Sequence, residues 1–236
     1  MVSNPLNPLS TARDHRLRSL LFTPATKPER FAKAVEIGAD ILIIDLEDSV
    51  APDDKDRARA TALEYLTGIR KPFVTTALRI NALETRAGLA DLAAFLDSGA
   101  NPELLILPKA ESLGYVRILD KQLTLAGKTA RLIAMIESVR GLAYVKEIAR
   151  ATTRLEALMF GAADMSADLG AETAWEPLLY TRSRLVAACA LAGVPALDAP
   201  FFDVHDSEGL KQEITRSRAL GVSGNCAIHP AQIAVS

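Results

Sequence analysis

The sequence predicts an α/β chain closed into a (β/α)8 TIM barrel with a short or missing final helix, and three observations predict it. Eight short apolar runs are separated by seven helix-like segments, at roughly 30-residue spacing. Such alternation specifies parallel strands joined by crossover helices. Seven of the runs are followed within two or three residues by a charged or hydroxyl side chain, as the active rim of a barrel requires. The chain is 236 residues long, the length of one such barrel.

In order, the expected strands are SLLFTP (19–24), ILIIDLED (41–48), PFVTTALRIN (72–81), LLILPK (104–109), LIAMIES (132–138), LEALMFGAAD (155–164), VPALDAPFFD (194–203) and VSGNCAIHP (222–230). Helical periods run over Lys27–Glu36, Asp53–Leu66, Arg86–Asp97 and Ser207–Leu220. Gly38, Gly68, Gly99 and Gly221 follow them and are expected as left-handed C-terminal caps. Thr23, Asp45, Glu47, Arg79, Asn81, Lys109, Glu137, Asp164, Asp198 and His229 end the runs and are expected to converge on one rim. Residues 1–15, polar and broken by proline, read as a flexible tail, and residues 16–236 as one domain. Little sequence follows Pro230, so strand eight is expected to be covered by another subunit of a homo-oligomer.

Composition narrows the partners. Lys and Arg total 27 against 29 Asp and Glu, and no basic block marks a nucleic-acid surface. Neither a transmembrane-length apolar run nor an N-terminal signal pattern occurs, so a cytoplasmic protein without a membrane partner is expected. Cys189 and Cys226 are isolated and read as small buried residues; three histidines are too few for a multi-histidine metal site.

The acids at the expected rim suggest metal chemistry. Adjacent strands lie about 4.8 Å apart, so Glu137 and Asp164 can hold one cation. All-oxygen ligation by two carboxylates suits Mg²⁺ or Mn²⁺ and leaves positions for a chelating substrate. The alternative is that each acid caps a helix or pairs with a rim cation such as Arg140. Arg79 offers a planar fork for a substrate carboxylate, or equally for a salt bridge to the Asp45-Leu46-Glu47-Asp48 cluster. Strand parity puts Asp45 and Glu47 on one face and suits them to general acid or base work, while Asp48 reads as the start of a loop. Lys109 reads as a charged electrostatic group rather than a Schiff-base lysine. His229 reads as a turn histidine at least as well as a catalytic one.

Taken together, Arg18-Ser19-Leu20-Leu21-Phe22-Thr23-Pro24, Asp45-Leu46-Glu47-Asp48-Ser49-Val50, Arg79-Ile80-Asn81, Leu107-Pro108-Lys109, Glu137 with Gly141, Phe160-Gly161 through Asp164, and Ile228-His229-Pro230 resemble the citrate lyase beta subunit-like carbon–carbon lyases. That family includes citryl-CoA, citramalyl-CoA and malyl-CoA lyases, and the stretches span most of residues 16–233. The resemblance implies Mg²⁺ on Glu137 and Asp164, Arg79 on an oxo-acid carboxylate, and Arg18 and Lys27 toward coenzyme A or an acyl carrier. The expected reaction is cleavage of a 3-hydroxy acyl-CoA into acetyl-CoA and an oxo acid, with a base among Asp45, Glu47 or a metal-bound water, Glu47 ranked first on strand parity, and with Lys109 near the substrate. Ala25, Ala163 and Asn225 stand where the family often has Gly, Glu and Lys, which leaves the substrate open. The rival readings are a class II aldolase acting on free hydroxy-oxo acids and a non-catalytic acyl-CoA-binding subunit.

Overall fold

A computed structural model describes residues 17–68 and 74–235; the expected tail over residues 1–15 lies outside them. Eight strands form one closed parallel barrel in chain order: β1 (Ser19–Pro24), β2 (Ile41–Asp45), β3 (Thr75–Arg79), β4 (Leu104–Leu107), β5 (Arg131–Ile136), β6 (Leu155–Phe160), β7 (Ala196–Asp198) and β8 (Gly224–Ala227). The crossovers carry α1 (Glu29–Glu36), α2 (Lys55–Thr67), α3 (Arg86–Asp97), α4 (Leu113–Leu125), α5 (Val139–Ala143), α6 (Val145–Ala149), α7 (Ala162–Leu169), α8 (Trp175–Ala192) and α9 (Ser207–Leu220). Beyond β8 the described residues form a single 3₁₀ turn, Pro230–Gln232.

Apolar side chains on successive strand positions explain this closure, because each strand is buried on both faces. Leu20, Ile41, Ile43, Ala77, Leu104, Ile106, Ile133, Met135, Ala157, Met159, Leu197 and Cys226 pack into one cluster that fills the barrel. The alternate residues, among them Leu42, Ile44, Leu105, Leu158 and Phe160, pack into a second cluster with the helices. Several helices begin where the sequence offers a hydroxyl or carboxylate cap. Thr85 Oγ1 accepts from Gly88 N at 3.0 Å, Ser138 Oγ from Gly141 N at 3.0 Å, and Asp206 Oδ1 from Gly209 N at 2.8 Å.

Three expectations need correction. β2 ends at Asp45, so Glu47 belongs to the following turn and strand parity does not govern it. Asp164 does not end a strand; it lies in the first turn of α7. Gly38 and Gly221 adopt the expected left-handed conformation, at φ +81° and +108°, but Gly68 does not, at φ −71°, and Gly99 is absent from the positive-φ glycines. There α2 and α3 end instead by passing directly into extended backbone at Gly68 and Ser98.

Closure between β8 and β1 depends on one glycine. Asn225 N donates to Arg18 O at 2.9 Å, and a Cβ on Gly224 would lie 1.7 Å from Leu17 O. Backbone cannot yield as a flexible side chain can. Gly224→Ala is expected to cost about 1–3 kcal/mol of stability, read as a lower midpoint in denaturant unfolding with an unchanged slope.

Candidate active site

Register brings the first pieces together. Pro24, Asp45 and Arg79 are direct neighbours at the carboxyl ends of β1, β2 and β3. Arg79 donates from Nε to Asp45 Oδ1 at 2.6 Å and from Nη2 to Asp45 Oδ2 at 2.8 Å, the bidentate geometry that suits a guanidinium. Its Nη1 faces outward, 3.1 Å from Asp48 Oδ2 and 2.8 Å from Glu47 Oε2. The Phe22 ring lies against the guanidinium, 4.6 Å from centroid to Cζ.

The turn after β2 is held from several sides. Asp45 also accepts from Glu47 N at 2.9 Å, Ser49 N at 3.1 Å and Ser49 Oγ at 2.5 Å. Lys55 Nζ donates to Leu46 O at 2.8 Å and Glu47 O at 2.7 Å. Asn81 Nδ2 donates to Leu46 O at 2.9 Å and to Asp91 Oδ2 at 2.6 Å, and Asp91 in turn accepts from Arg59. These contacts hold the backbone of the turn that carries Glu47.

Glu47, Glu137 and Asp164 meet around Lys109. Lys109 N donates to Glu137 Oε1 at 2.7 Å, and its Nζ lies 2.7 Å from Asp164 Oδ2 and 3.3 Å from Glu47 Oε1. Gly161 makes room for the Glu137 side chain: a Cβ there would lie 2.5 Å from Glu137 Oε2. Two of the acids are buried, Glu47 at 5% and Glu137 at 4% exposure, and Glu47 Oε2 has no hydrogen-bond partner despite its closeness to Arg79.

Electrostatics follow from burial and from the crowding of charged groups. Burial pushes Glu47 up to about 8; Arg79 opposes this, and Glu137 and Asp48 add to it. Burial likewise pushes Glu137 up to about 7, against the Lys109 N–H and ammonium, with Asp164 raising it further. Asp45 goes the other way. Burial would raise it, but the charge and hydrogen bonds of Arg79 outweigh burial and hold the carboxyl below its ordinary value. The acids Asp45, Glu47, Asp48, Glu137 and Asp164 outnumber the cations Arg79, Lys109 and Lys55, so an added positive charge would favour ionisation of the raised Glu47 and Glu137. Glu137 and Asp164 supply hard oxygen donors that fit Mg²⁺ or Mn²⁺. No group of three or more His, Cys, Asp or Glu residues among the described residues forms a closed metal cage. A two-carboxylate site leaves the remaining positions to water and substrate.

Several expected site residues have other roles. Asp45 is not placed as a base: it is fully buried and both its oxygens already accept hydrogen bonds. Arg18 is at the opposite end of the barrel, just before β1, where Asp40 accepts from its Nε and Nη2 at 2.8 Å. A residue that precedes a strand cannot reach the carboxyl-end rim. Lys27 does lie at the rim, exposed in the turn after β1. Asp198 is taken up by Arg182, at 3.0 Å. His229 caps the last 3₁₀ turn, its Nδ1 accepting from Ala231 N at 3.2 Å. Asn225 faces Ser19 at the start of β1, so its departure from the family pattern does not touch the acid cluster.

The sequence pattern did not single out Lys55 and Asp91, and it held Ser49 only as part of a matching stretch; all three act on the site through the turn after β2. It also missed a cleft of about 380 Å³ between the end of β1, α1 and the end of β8, lined by Phe22, Pro24, Arg30, Lys33, Ile228 and His229. Lys33 and Arg30 fall within one turn of α1 near Lys27, a basic spacing that was visible in the sequence.

The chain is similar to known proteins along most of its length. The pattern of the HpcH/HpaI aldolase/citrate lyase family matches residues 18–230. L-malyl-CoA/beta-methylmalyl-CoA lyase of Cereibacter sphaeroides is 35% identical over an alignment 257 positions long that covers 98% of this chain and 80% of the relative. Among solved structures, RipC from Yersinia pestis is 51% identical with a TM-score of 0.83, covering 94% of this chain and 93% of its own. The protein CitE from Mycobacterium tuberculosis, in complex with magnesium, acetoacetate and coenzyme A, is 36% identical with a TM-score of 0.81, covering 93% of this chain and 79% of its own. The chain belongs to the HpcH/HpaI aldolase/citrate lyase family.

Proposed function

We propose that this protein is a Mg²⁺-dependent carbon–carbon lyase that cleaves a 3-hydroxy acyl-CoA of the malyl-, citramalyl- or citryl-CoA type into acetyl-CoA and an oxo acid. The convergence of Glu47, Glu137 and Asp164 beside Arg79 carries this reading, because that chemistry needs a cation, a carboxylate clamp and a base within one small volume. The family relatives point the same way, since they include a malyl-CoA lyase and a protein that holds magnesium, acetoacetate and coenzyme A.

Each residue has a role in the cleavage. Glu137 and Asp164 would hold Mg²⁺, which supplies Lewis-acid charge where the hydroxyl becomes a carbonyl. Nη1 of Arg79 receives the substrate carboxylate in place of the exposed Asp48 side chain, and Asp45 keeps the guanidinium from turning. Glu47 takes the hydroxyl proton. The O–H electron pair forms the carbonyl of the oxo acid, the carbon–carbon bond breaks, and its electrons pass to the thioester α-carbon, which takes back the proton held by Glu47, directly or through water, to become acetyl-CoA. The cleft beside Phe22 takes the pantetheine arm, with Lys27, Arg30 and Lys33 beside it for the phosphates. The aldolase alternative expects a histidine at the metal acids, whereas the imidazole of His229 is used to cap the last turn.

Release of acetyl-CoA from citryl-CoA, citramalyl-CoA and malyl-CoA, with Mg²⁺ and then with EDTA, tests the proposal. One member of the panel is expected to be cleaved and EDTA to stop it; no cleavage of any member would sink the reading. Glu137→Ala is expected to lower turnover at least about a thousand-fold, and undiminished turnover would remove Glu137 from the metal site.

A pH dependence follows from the raised carboxyls. Protonated Glu137 does not ligate, so Mg²⁺ affinity is expected to rise by up to about tenfold per pH unit as pH climbs through about 7. Stability runs the opposite way in EDTA. A carboxyl whose folded value lies above its ordinary one stabilises fully at low pH and loses that contribution as pH rises through the folded value. For Glu137 and Glu47 the window runs from 4.5 to about 7 and about 8. Thermal melts in EDTA are expected to fall across that window and to recover when Mg²⁺ is added.

A further inference from the structure

Lys109 touches all three acids of the cluster. Its backbone N–H donates to Glu137 Oε1 and its ammonium contacts Asp164 Oδ2 and Glu47 Oε1. To make these contacts it takes φ +47°, and no other described non-glycine residue has positive φ. Side chains rarely accept that conformation, which persists where surrounding contacts impose it. The ammonium is nevertheless not sealed in, because the Lys109 side chain is 40% exposed and its four-carbon stem can swing toward solvent. Asp164 is equally open at 40%.

We propose that Lys109 is a tethered cation that competes with the divalent metal for the acid cluster: Mg²⁺ can ligate Asp164 only as the Lys109 ammonium withdraws from Asp164 Oδ2. The inference rests on Glu137 and Asp164 as the metal ligands. Both a metal ion and an ammonium seek the same carboxylate oxygen, and two cations at one oxygen repel each other. The backbone half of Lys109 behaves differently. Its N–H on Glu137 Oε1 does not depend on the side chain, so Glu137 stays aimed at the cluster while the ammonium moves. Lys109 therefore weakens metal binding while its backbone orders one of the ligands.

Mn²⁺ titration of the full chain, following the free-ion signal by electron paramagnetic resonance, tests this without relying on turnover. Wild type is expected to bind Mn²⁺ and Glu137→Ala to lose it. Lys109→Gln is expected to bind about tenfold more tightly or better, and Lys109→Arg, which keeps the charge, to stay near wild type. Lys109→Gly suits the positive φ and is expected to match Lys109→Gln, which separates loss of the charge from any folding defect. If both neutral variants bind Mn²⁺ no more tightly than wild type, while Glu137→Ala still abolishes binding, the competition is wrong and the metal site stands. If wild type binds no Mn²⁺, or Glu137→Ala binds it normally, the metal assignment fails and the inference with it.

Discussion

The buried pair between Arg79 and Asp45 is the constraint on which the rest of the site depends. Both groups are at strand ends, and both are nearly sealed, Arg79 at 6% and Asp45 at 0% exposure. A buried guanidinium without its partner costs about 3–5 kcal/mol, so the two are kept or lost together. Their pairing uses one edge of the guanidinium and leaves Nη1 pointing out of the barrel. The same Asp45 also accepts from Glu47 N and Ser49. A single carboxylate thus fixes the arginine that would hold substrate and the turn that presents the base.

The barrel makes such an arrangement inexpensive to build. Parallel register places Pro24, Asp45 and Arg79 side by side, Lys109 lies two residues past the end of β4, and Glu137 follows directly on β5. The apolar layers beneath need no polar help, because the inner and outer clusters are filled by Leu, Ile, Val, Ala and Met. Charge is therefore free to accumulate at one end. That accumulation raises Glu47 and Glu137, and a group raised by burial and like charge is one whose ionisation a bound cation can restore.

Strands were the most legible part of the sequence, because a run such as Ile41–Ile44 is apolar at every position and has few alternatives to a strand buried on both faces. Glu137 and Lys109 were legible for the same reason: each closes such a run. Glu47 was reached by the wrong route, since strand parity was extended past Asp45 into a turn whose shape is set by Lys55, Asn81 and Ser49. Those contacts join residues up to 35 positions apart, a separation no local pattern records. Arg18 failed for a simpler reason. Its motif was read as a unit, although β1 runs from Ser19 to Pro24 and carries the two ends of the motif to opposite faces of the barrel. Spacing along a strand is distance across the fold, about 3.3 Å per residue.

Arg79 also shows why the sequence left two readings open, a salt bridge or a substrate clamp, and why both can hold. Its inner edge is committed to Asp45, which is buried and shared with the turn. Its outer nitrogen lies 2.8 Å from buried Glu47 Oε2 and 3.1 Å from Asp48 Oδ2, and of these two only Asp48, whose side chain is 61% exposed, retains water as an alternative partner. An exposed ion pair contributes little and breaks readily, whereas a substrate carboxylate arriving with the rest of a bound molecule has no such freedom to leave. Asp48 therefore occupies the outer nitrogen without blocking it. The chemistry divides along the guanidinium itself, with one edge spent on structure and the other available for recognition.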